Sequence, residues 1–144
     1  SALRKNKHFF TNRFNKKPDI KIDLYGNKNG EKKFLSSFIF EVKYRPLENI
    51  YHPKGSTKVM EQMDFYRAIN YVKDYGVKRH SVVEEVVCVY PGSNKKEILF
   101  DTDYGYFLQL FPDESEETDI IKGSDEMKEL LNKWIENNKI YLKA

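Results

Sequence analysis

The chain has one cysteine and one tryptophan in 144 residues, and no run of apolar residues long enough for a membrane span. Each shortage removes a class of protein. A lone Cys88 cannot make an intrachain disulfide or a thiolate metal site. It lies in the apolar run VEEVVCVYP and reads as a buried structural thiol in a reducing compartment. The three histidines, His8, His52 and His80, are scattered, so no histidine-rich zinc cluster is indicated. No GxxxxGK[ST] occurs, which excludes a nucleotide motor within this chain. Ser93 lacks a G-x-S-x-G context and reads as a turn residue. The opening SALRKNKHFF has no apolar core of a signal peptide, so a soluble, cytoplasmic protein without membrane contact is expected. No internal repeat or low-complexity segment is visible.

What is present is globular. Apolar residues make up 40%, aromatics 15% and charged residues of both signs 33%, enough to pack one domain spanning residues 1–144. The first two residues read as an expression remnant and the chain as a fragment of something longer. The net charge of +3 is unevenly spread: fourteen Lys and Arg against five Asp and Glu up to Lys58 give +9, leaving −6 for the remainder. A basic front half beside a few carboxylates suits a polyanion such as nucleic acid, although a solvated lysine-rich surface has the same composition.

Periodicity sets the elements. KHFFTNRFN can form a first strand. PDIKIDLYG alternates, with Ile20, Ile22 and Leu24 on the face expected to be buried and Asp19, Lys21 and Asp23 on the other, and GNKNG is expected to turn the chain. FLSSFIFEVKYRP alternates too, placing Phe38, Phe40, Val42 and Tyr44 opposite Ile39, Glu41, Lys43 and Arg45 until Pro46 stops the strand. A helix of about 19 residues, roughly 28 Å, is expected from Ser56 or Thr57 as cap to Gly76. SVVEEVVCVYPG reads as a buried strand and KEILFDTDYGYFLQLFP as a hairpin turning near Asp103 to Gly105. DESEETD reads as an acidic loop, and SDEMKELLNKWIENNK as an amphipathic closing helix capped by Ser124. The sum is an α/β (α+β) domain, a mixed central β-sheet flanked by helices.

On the second strand Glu41 and Lys43 project from one face about 6 to 7 Å apart. Paired with the preceding strand, Asp19 approaches Glu41, and two carboxylates with a backbone carbonyl make a hard oxygen site for Mg²⁺ or Mn²⁺. Such an ion lowers the pKa of a bound water and steadies charge on a phosphate, with Lys43 beside it. An E-x-K triplet alone is also ordinary salt-bridge decoration on an exposed strand. Asp23 is an alternative ligand to Asp19, about 13 Å away along an extended strand, so one ion cannot use both; Asp19 is preferred. Gln62 and Tyr66, four apart, share a helical face and can hydrogen-bond a phosphate or the carboxylates. Arg45 and Arg67 are candidate phosphate contacts.

Pro18-Asp19, then Glu41-Val42-Lys43, then Gln62-x-x-x-Tyr66 resembles the PD-(D/E)XK nuclease superfamily in its QxxxY-containing branch. FTNRF before PDI, KYR after the acidic residue, the QM-x-x-Y helix and the strand ending in Tyr90-Pro91 resemble, more narrowly, the nuclease domain of McrC-like restriction proteins. The similarity covers about residues 8 to 92. It implies a restriction-endonuclease-like fold and a metal held by Asp19, Glu41 and the Val42 carbonyl. It further implies that Lys43 assists DNA phosphodiester hydrolysis, that Gln62 and Tyr66 support the site, and that a nucleotide-hydrolysing motor is a partner. The sequence departs from the family in one respect, since residues 1–18 contain no Asp or Glu where many members supply another acid from an upstream helix. Two expectations therefore stand: a Mg²⁺-dependent DNA endonuclease of bacterial defence, or a nuclease-fold module that binds nucleic acid or protein without cleaving.

Overall fold

The computed structural model describes residues 17–68, 71–74, 77–91, 98–112 and 121–142. The first strand expected in KHFFTNRFN and the acidic loop DESEETD lie outside these residues. β1 (Ile20–Lys28) and β2 (Glu31–Val42) form an antiparallel hairpin, followed by a short helix α1 (Leu47–Ile50) and the helix α2 (Lys58–Arg67). A two-stranded unit, β3 (Tyr71–Asp74) with β4 (Val77–Ser81), precedes β5 (Val83–Tyr90). The hairpin β6 (Leu99–Thr102) and β7 (Gly105–Gln109) comes next. Two short strands, β8 (Phe111–Pro112) and β9 (Ile121–Lys122), then lead into α3 (Ser124–Asn138). The main sheet runs β1-β2-β5-β7-β6, with β2, β5 and β7 parallel and both outer strands antiparallel to their neighbours. The mixed sheet flanked by helices is therefore as expected.

Alternation in β2 and β5 divides the core into two layers. Ile39, Val86, Cys88, Tyr90 and Phe107 face α1 and α2, packing with Leu47, Ile50, Val59, Met60, Met63 and Tyr66. Phe38, Phe40, Val87, Val89 and Leu108 face α3, against Leu130 and Trp134. Central strands buried on both faces read as near-continuous apolar runs, which is how β5 appears in the sequence. A buried polar relay fixes α3 to β2: Trp134 Nε1 donates to Ser36 Oγ at 2.8 Å, and Ser36 Oγ donates to Asn138 Oδ1 at 3.0 Å. Every polar atom in that relay has a partner, which avoids the ~1–3 kcal/mol cost of an unpaired buried group.

Several expectations need correction. In β1 the alternation is right but the buried face is wrong: Ile20 and Ile22 are exposed, while Lys21 and Asp23 are partly buried. β1 is the edge strand, and α3 rests on the central strands, so the apolar row of β1 is left uncovered beyond Leu24. Gly26, Asn27 and Lys28 belong to the strand, and the turn is only Asn29-Gly30. Both of these residues have positive φ, 54° and 81°, the geometry of a type I′ hairpin turn for which Asn-Gly is suited. Tyr44 falls past the end of β2 and is 79% exposed, not part of an apolar face.

The expected long helix is ten residues, capped by Thr57, whose hydroxyl accepts from the Met60 N–H at 3.2 Å. It stops at Arg67 because the following Tyr-Val-Lys-Asp and Val-Lys-Arg-His-Ser runs, rich in aromatic and β-branched residues, form β3 and β4 instead. Helical spacing of apolar residues continues across that boundary by coincidence. At α3 the cap is Gly123, left-handed at φ 91°, and Ser124 is the first helical residue. The glycine is required there, since a Cβ would strike the Gln109 carbonyl oxygen.

Candidate metal and active site

The β1–β2 register places Ile20 opposite Phe40, so Asp19, the residue before β1, arrives beside Glu41 near the carboxyl end of β2. Two reciprocal hydrogen bonds hold it there. The Asp19 N–H donates to Glu41 Oε1 at 3.2 Å, and the Val42 N–H donates to Asp19 Oδ2 at 2.8 Å. In an extended strand a residue's N–H and C=O point to the same neighbour, so the Val42 carbonyl faces the same edge as the Asp19 carboxylate. Lys43 lies just past β2, where its own N–H still bonds the Val89 carbonyl at 2.9 Å. Its ammonium stands 3.8 Å from Glu41 Oε2.

The α2 helix covers the Glu41 end of the site and leaves Asp19 exposed. Gln62 and Tyr66 both face the sheet: Gln62 Nε2 donates to the Tyr66 hydroxyl at 2.7 Å, and Tyr66 hydrogen-bonds the Glu41 carboxylate. Five residues, Asp19 just before β1, Glu41 and Lys43 at the end of β2, and Gln62 and Tyr66 on α2, thus form one connected cluster. Glu41 is 3% exposed, so it does not point away from the core as a single-faced strand would have it; β2 has two core faces, and Glu41 ends the one under α2. Beside it on β5 lies Cys88, fully buried, whose thiol burial pushes up to about 12, which fits the inert structural role expected of it.

Burial pushes the Glu41 carboxyl above its ordinary value of 4.5, and the Asp19 charge adds to this, while the Asp19 N–H, Lys43 and Tyr66 oppose it. The Tyr66 phenol is pushed up by burial and then by Glu41, so it stays protonated as a donor toward that carboxylate. A buried carboxylate raised by desolvation and a like charge is short of positive charge, which a divalent cation would supply. Asp19, Glu41 and the Val42 carbonyl are all oxygen donors, the set that suits Mg²⁺ or Mn²⁺ with waters completing the shell. Among the described residues no group of three or more His, Cys, Asp or Glu is placed to hold a metal, and Asp19 and Glu41 are the carboxylates that those residues bring to the site.

The other candidates fall elsewhere. Asp23 is held by Ser37 Oγ and by Lys21 Nζ at 2.9 Å, which leaves Asp19 as the acid beside Glu41. Arg45 is exposed beyond β2. Arg67 sits at the β6–β7 turn, its Nη1 donating to the Asp103 carbonyl at 2.9 Å and its charge lowering a Glu85 carboxyl that burial raises. That contact gives Arg67 a structural task at the turn. A separate cleft of about 730 Å³, between residues 51–56 and the β6–β7 turn, includes none of the five clustered residues. Sequence reasoning missed α1, whose Leu47 and Ile50 pack in the same core layer as Met60 and Tyr66; a four-residue helix is too short to show periodicity.

Gln62→Ala and Tyr66→Phe each remove one link of the Gln62–Tyr66–Glu41 chain, so if the site cleaves a phosphodiester each should lower its turnover about tenfold while Tm falls only a few degrees. Turnover and thermal melting measured on the same preparations check this, and a large loss of Tm with unchanged turnover per folded molecule would make the pair purely structural. No protein-family model matches the chain, and no match to it is found among curated proteins or among solved structures.

Proposed function

We propose that this chain is a divalent-metal-dependent endonuclease domain acting on DNA phosphodiester bonds, in the manner of the PD-(D/E)XK nucleases its motifs resemble. The observation that carries the reading is the convergence of Asp19, Glu41 and Lys43 with Gln62 and Tyr66, from three separate segments, on one buried carboxylate. A surface E-x-K decoration would leave Glu41 in solvent and would not recruit a helix to it.

In this mechanism Asp19, Glu41 and the Val42 carbonyl would hold the cation, which would supply Lewis acidity and a water of lowered pKa. The Asp19 N–H, Lys43 and the Tyr66 hydroxyl orient the Glu41 carboxylate and favour its charged form against the burial that raises its pKa. Lys43 offers an ammonium to the attacking water or to the oxyanion that develops on the phosphate. Gln62 holds Tyr66 and thereby the Glu41 rotamer. Core packing on both faces of β2 makes the platform rigid, which catalysis needs for placement within fractions of an ångström. A role in bacterial defence, with a nucleotide-hydrolysing motor as partner, follows from the resemblance.

The second reading, a non-cleaving module, has one observation in its favour: the cluster is already internally hydrogen-bonded, Asp19 Oδ2 being taken by the Val42 N–H. Incubation of supercoiled and linear DNA with the protein separates the two. Cleavage in Mg²⁺ or Mn²⁺ that EDTA abolishes supports the enzyme; salt-dependent DNA binding with no cleavage in either ion supports the module.

A further inference from the structure

Lys21 has no part in the cluster described above, yet it lies on the same face of the sheet. Directly opposed residues share a face, and Lys21 is opposite Ile39 while Asp23 is opposite Ser37. Asp19, Lys21 and Asp23 therefore form a row beside Glu41, Ile39 and Ser37. Lys43 stands past Glu41 at the carboxyl end of β2, and β1 runs the other way, so Lys21 stands on the opposite side of the two carboxylates, about 7 Å along the strand from Asp19. Two ammonium groups bracket an acidic pair.

Lys21 is also held in place. Its Nζ is 2.9 Å from Asp23 Oδ1, and the same oxygen accepts from the fully buried Ser37 hydroxyl. Its side chain is 23% exposed, against 43% for Lys33 and 59% for Lys139, which sit in ordinary surface ion pairs. An ammonium has three donors and Asp23 takes one. The strip remains open to a ligand because β1 is the edge strand and α2 packs chiefly on β5 and β7.

We propose that Lys21 is a second phosphate-binding residue of this site, holding the nucleic-acid phosphate adjacent to the one attacked. The proposal rests on the nuclease reading. The substrate backbone then crosses the sheet edge from Lys43 over Asp19 and Glu41 to Lys21, one phosphate at each ammonium. Asp23 and Ser37 act as positioning residues that keep the Lys21 side chain extended along β1.

The test compares Lys21→Met, Lys21→Gln, Lys21→Arg and Glu41→Gln with the parent chain on one DNA duplex in Mg²⁺. Lys21→Met and Lys21→Gln should raise KM about tenfold with kcat within about twofold of the parent. The log-log salt slope of duplex affinity, measured in Ca²⁺, should become shallower by about 0.9, as for one lost phosphate contact. Lys21→Arg should restore both. Unchanged KM and salt slope in the two neutral variants, with Glu41→Gln inactive, would overturn this proposal and leave the nuclease reading standing. Glu41→Gln cleaving like the parent would overturn the nuclease reading and this proposal with it.

Discussion

Glu41→Gln should abolish metal-dependent cleavage, by at least about a thousandfold, and at neutral pH in the absence of divalent metal it should melt at a higher temperature than the parent. The first effect follows from removing one of two carboxylates that can hold the cation. The second follows from burial. The folded-state pKa of Glu41 is raised above its ordinary value of 4.5, chiefly by desolvation and then by Asp19. A raised pKa means that the protonated form is favoured by folding. The contribution is fully present below the unfolded value and is lost as pH rises through the folded one. The Tm advantage of the variant should therefore vanish at acidic pH and open as pH rises above about 4.5. Melting curves across that range, with cleavage assays at neutral pH, check both halves. A variant less stable than the parent at every pH would mean that Glu41 is a structural anchor.

Lys43→Ala should lower the cleavage rate by roughly 100-fold to 1,000-fold, the usual loss when one preorganised donor to a developing oxyanion is removed. It should also move the acidic limb of the pH–rate profile to higher pH, because Lys43 is one of the groups holding the Glu41 pKa down. Lys43→Arg keeps the charge but replaces a compact ammonium with a planar fork, so it should recover the profile better than the rate. Rate and profile unchanged in Lys43→Ala would leave the 3.8 Å contact with Glu41 as an ordinary ion pair.

Much of this was legible in the sequence, and the gaps have physical causes. The alternation of β2 assigned Ile39 and Glu41 to one face and Phe38 and Phe40 to the other, as the two core layers show. The β6–β7 turn at Asp103 and Tyr104 was readable from its residues. Period alone does not say which face of a strand acquires a cover, and so the apolar row of β1 reads as buried although its edge position leaves Ile20 and Ile22 exposed. The end of α2 was misplaced by eight residues, since Tyr71, Val72 and Val77 fit a helical stripe as well as a hairpin, and tertiary pairing between β3 and β4 decides. For the site, spacing placed Glu41 beside Lys43 and Gln62 beside Tyr66. The Gln62 to Tyr66 to Glu41 chain depends on how α2 lies over the sheet, which spacing does not encode. The bracketing position of Lys21 depends on the β1–β2 register, set by the Asn29-Gly30 turn together with a one-residue bulge between Leu24 and Tyr25, without which Lys21 would fall on the other face.

The most direct test of the central claim is a crystal structure of the chain soaked with Mn²⁺, read by the metal's anomalous signal. One strong peak is expected between the Asp19 and Glu41 carboxylates and the Val42 carbonyl, with Asp19 turned off the Val42 N–H to reach it. A Mn²⁺ peak found only elsewhere, or none while Asp19 still accepts from Val42, would contradict it.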